Sequence, residues 1–370
     1  MAAGADGLLR LAGPLDLPGS LEGYRRSGDD LMDRWDGVVW LRAVRLDGRP
    51  VAVAARPVGT VAEPALLVAA EGGAVAAAGE ALACAFVTAH AALRELAARD
   101  PVVAALAARW PGLGPVLQPD LLTAVVRSIS AQQITLRFAA VLRARLARRF
   151  GHRHTVPVPA GPGPGRPPPA SGGPAAVPPA ATSDGSAAPP AAASGPGVAE
   201  VWSLDAAALA GAEVAELRAL QFSNAKAVAV VSFAGAVADG RVRLDELAAL
   251  DDEQVVERLV AFPGIGRWTA EWLLARTLGR PRVVAGDLGV RKAVGAAYLG
   301  GRMPSEAEVR AATAHWGAAA GVAQQLLLQR LAQETAGRPR PARRPLPAGA
   351  RPGQRGGDPE ADQHPAGDQP

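Results

Sequence analysis

Between Val156 and about Gly197 the chain is built almost wholly from Pro, Ala, Gly and Ser, as in Arg166-Pro167-Pro168-Pro169 followed by Ala170-Ser171-Gly172-Gly173. A stretch of this kind has no apolar pattern to bury and too much Pro and Gly for regular structure, so residues 157–199 are expected to be a disordered insertion. Residues 337–370 have the same character and are expected to be a disordered tail. Arg338, Arg340, Arg343 and Arg344 within it could touch nucleic acid or simply be solvated. Any core must therefore be assembled from the segments on either side of the insertion.

Upstream of it the patterning changes once. From Leu8 to about Gly73 it is strand-like: Val38-Val39-Trp40-Leu41-Arg42-Ala43-Val44 and Pro50-Val51-Ala52-Val53-Ala54 are joined through Asp47-Gly48, a turn pair suited to a hairpin. Ala65-Leu66-Leu67-Val68-Ala69 reads as a third strand. From about Val75 apolar residues recur at helical spacing, and helix follows helix to about Leu331, with a break at Trp110-Pro111-Gly112-Leu113-Gly114-Pro115. The 370 residues are 49% hydrophobic, enough apolar mass for two or three domains. The expected fold is mainly α with a small N-terminal α+β domain over residues 1–95 and a helical body over 96–156 and 200–336.

Composition excludes several chemistries. Cys84 is the only cysteine, so this chain cannot by itself build a disulfide framework, a zinc cluster or an iron–sulfur site; its apolar surroundings, Ala81 to Phe86, predict core packing. His152 and His154 have no Cys or carboxylate close by in sequence, which argues against a metal there. The N-terminus lacks a basic flank followed by an apolar run, and no stretch of about 18 apolar residues occurs; a cytoplasmic protein without a membrane partner is expected. The formal net charge is +4 with only two lysines, Lys226 and Lys292. Arginine suits phosphate contacts, but an arginine excess also follows from GC-rich coding, so basicity alone decides nothing.

The densest signal lies at about 251–279. An apparently helical stretch, Asp252 to Val260, meets Pro263-Gly264-Ile265-Gly266, and a second helix begins near Arg267. Glycines at such a turn leave the backbone bare, so N–H groups at the second helix's positive end can approach a phosphate without reading sequence. A plain Pro-Gly link between two helices is the alternative.

Beyond it stand Trp268-Thr269-Ala270-Glu271-Trp272 and Val283-Val284-Ala285-Gly286-Asp287-Leu288. The run Phe262-Pro263-Gly264-Ile265-Gly266-Arg267-Trp268-Thr269-Ala270 with its downstream Gly286-Asp287 resembles the helix-hairpin-helix, following loop and aspartate of the DNA glycosylase superfamily, in particular 3-methyladenine DNA glycosylase II. Arg127-Ser128-Ile129-Ser130-Ala131-Gln132-Gln133-Ile134-Thr135 and Leu220-Gln221-Phe222-Ser223-Asn224-Ala225-Lys226-Ala227 extend the resemblance, and the N-terminal β-containing unit fits the small domain of that branch. The implied fold is the helix-hairpin-helix glycosylase fold of two helical subdomains.

The resemblance implies excision of alkylated purines from duplex DNA, with Asp287 as the catalytic carboxylate and Trp268, Trp272 and Leu328 around the flipped base. Taken alone, the tryptophans could be core residues and Asp287 an N-cap for the helix opening at Leu288. By the same resemblance Gly264, Ile265, Gly266, Thr269, Ser130 and Gln132 contact DNA, Gln132 filling the gap left by the base unless it only packs between helices. Carbonyls of Val260, Phe262 and Ile265 would hold a monovalent cation; no other cofactor is implied, and a monomer is expected. Trp268 occupies the position where strand-nicking members carry a lysine, and Lys292 is five residues past Asp287, so base excision without strand cleavage is expected. Departures concern the pocket. Ala318 and Ala320 stand where the family has Pro and Arg, and Leu328 stands where a tryptophan is expected. A non-catalytic binder of damaged DNA, or a glycosylase for oxidised or mismatched bases, are the competing readings.

Overall fold

The computed structural model describes residues 7–161 and 197–336. Nearly all of the insertion, and the tail with its four arginines, lie outside the described residues.

The chain opens with β1 (Leu8–Arg10) and α1 (Leu17–Ser27), then β2 (Asp33–Trp35), β3 (Trp40–Leu46), β4 (Arg49–Gly59) and β5 (Pro64–Ala70). These strands form one antiparallel sheet in the order β1-β5-β4-β3-β2. The turn between β3 and β4 is two residues long, with Asp47 at φ 49° and Gly48 at φ 76°, the left-handed pair whose twist matches flanking strands. One face buries Trp40, Val53, Leu66 and Val68 under Leu17 and Leu21 of α1 and Leu82 of α2 (Val75–Ala83).

The helical body follows: α3 (His90–Ala97), α4 (Pro101–Arg109), α5 (Leu121–Ala131) and α6 (Leu136–Phe150). Nine of the eleven residues of α5 are buried, which makes it the central helix. Helix is expected to continue past α6, but β6 (Gly151–Pro157) and β7 (Val198–Leu204) pair there as an antiparallel ribbon across the insertion. Val156 and Val201 close over Val39, Leu41, Ala52 and Ala54 on the second face of the N-terminal sheet. Few inward apolar positions mark these strands, and paired residues lie 41 to 53 positions apart, so local periodicity does not show them. The ribbon also brings carboxylates to the histidines: His152 meets Asp205 at 2.9 Å, and His154 meets Glu71 at 3.0 Å. Among the described residues no cluster of three or more His, Cys, Asp and Glu is placed to hold a metal. Cys84, expected in the core, is exposed, because α2 turns its Leu82 face inward instead.

The remaining helices are α7 (Ala206–Ala210), α8 (Val214–Ala219), α9 (Asn224–Ala238), α10 (Leu244–Ala249), α11 (Asp252–Val260), α12 (Arg267–Arg276), α13 (Leu288–Tyr298), α14 (Glu306–Thr313) and α15 (Ala320–Ala336). They divide between two cores. One gathers α5, α6 and α7 to α12 around Ile129, Phe233 and Leu273; the other gathers α3, α4 and α13 to α15 around Leu96, Val294, Trp316 and Leu326. None of the described helices is long and apolar enough to cross a membrane.

Candidate active site and hairpin

Helix α11 starts with a capping box, Asp251 accepting from Gln254 N–H and the Gln254 side chain accepting from Asp251 N–H. Its apolar stripe of Val255, Val256 and Leu259 locks it inward. The chain then turns through Phe262, which packs edge-on against Phe233 with ring centres 5.2 Å apart. Ile265 plugs the core while Pro263, Gly264 and Gly266 stay exposed. Gly266 opens α12 with no side-chain cap, so the first amides of that helix face outward with its positive dipole end.

Gly264 sits at φ 74°, and a Cβ there would stand 2.6 Å from Ala229 Cβ of α9. Gly264→Ala therefore combines a left-handed penalty of about 1–2 kcal/mol with a clash. It is expected to weaken duplex DNA binding by roughly tenfold, read by fluorescence anisotropy; unaltered affinity would show that the turn does not carry the contact.

The hairpin is fastened to α5. Gln132 Nε2 donates to the Gly264 carbonyl at 3.1 Å, and Lys226 Nζ donates to the carbonyls of Ser130 at 3.0 Å and Gln132 at 2.6 Å. Lys226 thus closes the negative end of α5, a role the sequence did not disclose. Gln132 is spent on the hairpin, and the exposed side chain at this turn is Gln133, in left-handed backbone at φ 59°. Two expected DNA contacts are corrected. Ser130 is fully buried, donating to Arg127 O and accepting from Arg143; Thr269 is buried against Ser128 at 3.3 Å. Thr269 faces the interior where α12 packs on α5, and Ser130 faces it where α6 brings Arg143 against α5.

Trp268, Trp272, Asp287 and Leu328 come together in one cleft of about 370 Å³, which Tyr24, Arg127 and Arg276 also line. Its walls are drawn from the N-terminal domain and both helical cores. The two tryptophans, one turn apart on α12, are half-buried, so each packs and still presents ring surface. Asp287 caps α13, with Oδ1 accepting from Val290 N–H at 2.9 Å; no described protein group bonds its second oxygen. Capping and an open carboxylate oxygen coexist in one side chain. A Cβ on Gly286 would lie 3.2 Å from Trp268 Cδ1, and one on Gly289 would lie 3.3 Å from a Leu328 methyl, so the indole packs on the loop before Asp287 and the leucine on the first turn of α13 after it.

That loop is braced by Glu271 of α12, which is buried and takes Arg267 at 3.2 Å, Arg282 at 3.2 Å and Arg310 at 3.1 Å. Arg282 lies five residues before Asp287 and Arg310 lies on α14, so one carboxylate ties the hairpin helix to the second core. Glu271→Gln is expected to lower unfolding free energy by on the order of 2 kcal/mol, less than for a fully buried pair because Arg267 and Arg310 reach solvent. Urea unfolding measures this, and an unaltered midpoint would refute the brace.

Under the cleft lies a second charged group. Asp30 is completely buried and meets Arg127 Nη2 at 2.7 Å and Arg143 Nε at 2.9 Å; Asp33 meets Arg127 at 3.3 Å and also binds Arg42. Burial works to raise the Asp30 pKa, but Arg127 and Arg143 outweigh it and hold the carboxyl below its ordinary value. Burial also brings Arg143 down to about 10 and lifts Tyr24 to about 12.

No protein-family model matches the chain. Over 80 residues it is 36% identical to YfjP of Bacillus subtilis, a DNA-3-methyladenine glycosylase by name, and over 77 residues it is 42% identical to DNA-3-methyladenine glycosylase 1 of Schizosaccharomyces pombe. These stretches make up 21% and 20% of this chain and 28% and 34% of the relatives, so the chain matches about a third of their length. In three dimensions the likeness is longer. It covers 89% of this chain and 98% of the 3-methyladenine DNA-glycosylase of Archaeoglobus fulgidus, with a TM-score of 0.65 at 24% identity. It also covers 87% of this chain and 93% of a Clostridium acetobutylicum 8-oxoguanine glycosylase/lyase solved with double-stranded DNA, with a TM-score of 0.59 at 12% identity. The chain thus has the fold of these two solved glycosylases, and its aligned stretches of sequence are similar to relatives named as 3-methyladenine glycosylases.

Proposed function

We propose that this chain is a monofunctional DNA glycosylase that acts as a monomer on duplex DNA and hydrolyses the N-glycosidic bond of modified purines, initiating base excision repair. Alkylated purines, the class in the names of its aligned relatives, come first. The observation that carries the reading is the open carboxylate oxygen of Asp287 in a cleft walled by Trp268 and Trp272. A base turned out of the duplex stacks on the indoles. As the C1′–N bond lengthens, positive charge grows on the sugar, and Asp287 stabilises it and orients the attacking water. The bare amides at Gly264 and Gly266 hold a backbone phosphate, with Ile265 as the plug that sets the turn.

Strand cleavage through a Schiff base needs an amine at the sugar. Trp268 offers none, Lys226 is bonded to two carbonyls, and Lys292 lies on the exposed side of α13. The cation expected at the hairpin belongs with this reading. The Phe262 carbonyl already accepts from Ile265 N–H at 3.2 Å, so it would offer an ion its second lone pair, beside the carbonyls of Val260 and Ile265.

One assay tests the proposal: duplexes carrying methylated, etheno or oxidised purines are incubated with the protein, and released bases and strand breaks are counted. Alkylated bases are expected to be released, with breaks appearing only after alkali. Tight binding without any release would instead establish a non-catalytic binder of damaged DNA.

A further inference from the structure

The cleft contains more positive charge than its own carboxylates neutralise. Arg276 lines it beside Asp287, yet its guanidinium makes one hydrogen bond, Nη2 to Gln325 Oε1 at 2.9 Å, and pairs with no carboxylate among the described residues. Beneath it three guanidiniums, Arg42, Arg127 and Arg143, share the two carboxylates of Asp30 and Asp33. The surplus of one cation shows in the bonding, since Nη1 of Arg42 and Nε of Arg127 are buried without a hydrogen-bond partner among the described residues. Tyr24 adds a donor: its hydroxyl oxygen accepts from Arg42 Nη2 at 2.9 Å and from Gln118 Nε2 at 2.6 Å, so its own hydrogen is left for the cleft.

We propose that this cleft selects uncharged modified purines over cationic ones, with Arg276 and Tyr24 donating to the acceptor edge of the flipped base and to the charge it gains on leaving. The inference rests on the glycosylase reading and narrows it. When an uncharged purine leaves, the electron pair of the C1′–N bond goes to the base, which departs as an anion. Water supplies hydroxyl to C1′ and a proton to that anion. Donors that meet the anion and not the ground state lower the barrier. A base already bearing a positive charge departs neutral, so it draws no such benefit. Its charge also faces Arg276, against which the tryptophan faces offer only a modest cation–π attraction. Burial disfavours the charged form of Arg276, with Tyr24 and Asp287 opposing that effect, so a negative charge arriving in the cleft restores what desolvation removed.

The test compares release of 1,N6-ethenoadenine, uncharged, with release of 7-methylguanine, cationic, each as rate enhancement over spontaneous loss from the same duplex. The wild-type enhancement is expected to be larger for 1,N6-ethenoadenine, and Arg276→Met is expected to reduce the ratio of the two by about tenfold or more. Tyr24→Phe, which removes only the hydroxyl, should reduce it in the same direction and keeps the question answerable if Arg276→Met does not fold. A larger wild-type enhancement for 7-methylguanine, or variants that lower both rates equally, would overturn the selectivity and leave the glycosylase reading standing. Release of neither base nor any other by the wild type would overturn both.

Discussion

Asp287→Asn is expected to fold as the wild type does and to release an alkylated base on the order of a hundred- to a thousandfold more slowly. The two halves of this expectation come from the two oxygens of the side chain. Oδ1 caps α13 through Val290 N–H, and Asn caps a helix about as well as Asp, so the melting temperature should stay within a degree or two. The charge is what the exchange removes, and only the charge acts on positive character developing at the sugar. Asp287→Ala separates the roles further: it should be as inactive and also less stable by about 1 kcal/mol, the usual cost of losing a cap. Single-turnover base release alongside thermal unfolding reads both variants. An Asn variant with wild-type release would assign Asp287 to capping alone.

The sequence disclosed the parts of this arrangement that depend on local chemistry. Pro263-Gly264-Ile265-Gly266 specifies a tight turn whatever surrounds it, and the spacing of Trp268 and Trp272 places them on one helical face. Asp287 before Leu288 has the look of a cap, and the proposed catalytic role comes only from a resemblance. What stayed hidden depends on partners distant in the chain. Ser130 and Thr269 look polar and available until α6 packs on α5 over the one and α12 packs on α5 over the other. Lys226 gains meaning only when the end of α5 arrives above it. The ribbon of β6 and β7 needs a pairing across the insertion. Arg42 and Asp33 look like surface charges on short strands, yet their pairing places them face to face and buried. A buried ion network has no periodicity of its own, so only the assembled fold reveals it.

That network supplies the largest stability effect to be expected here. Asp30→Asn should destabilise the protein by about 3–5 kcal/mol, because it leaves Arg127 and Arg143 buried with a single carboxylate, Asp33, shared with Arg42. Replacing Arg143 by Met together with Asp30 by Asn should recover part of the loss, since two neutral side chains carry no uncompensated charge. The pH dependence has a definite sign. The folded-state pKa of Asp30 lies below the ordinary carboxylate value, so its contribution is fully present above that value and is lost as pH falls through the folded-state pKa. Asp100 acts in the same direction. Burial works against its charge, but His315 Nε2 at 2.8 Å, Tyr298 OH at 2.7 Å and the amides of Val102 and Val103 lower its pKa. Denaturant midpoints should therefore fall as the solution is acidified below about pH 4, and the fall should be shallower in Asp30→Asn, which has already lost its share. Arg127 also lines the cleft, so a steep wild-type fall together with an unaltered slope in Asp30→Asn would place the acid sensitivity elsewhere and separate the cleft floor from the stability of the fold.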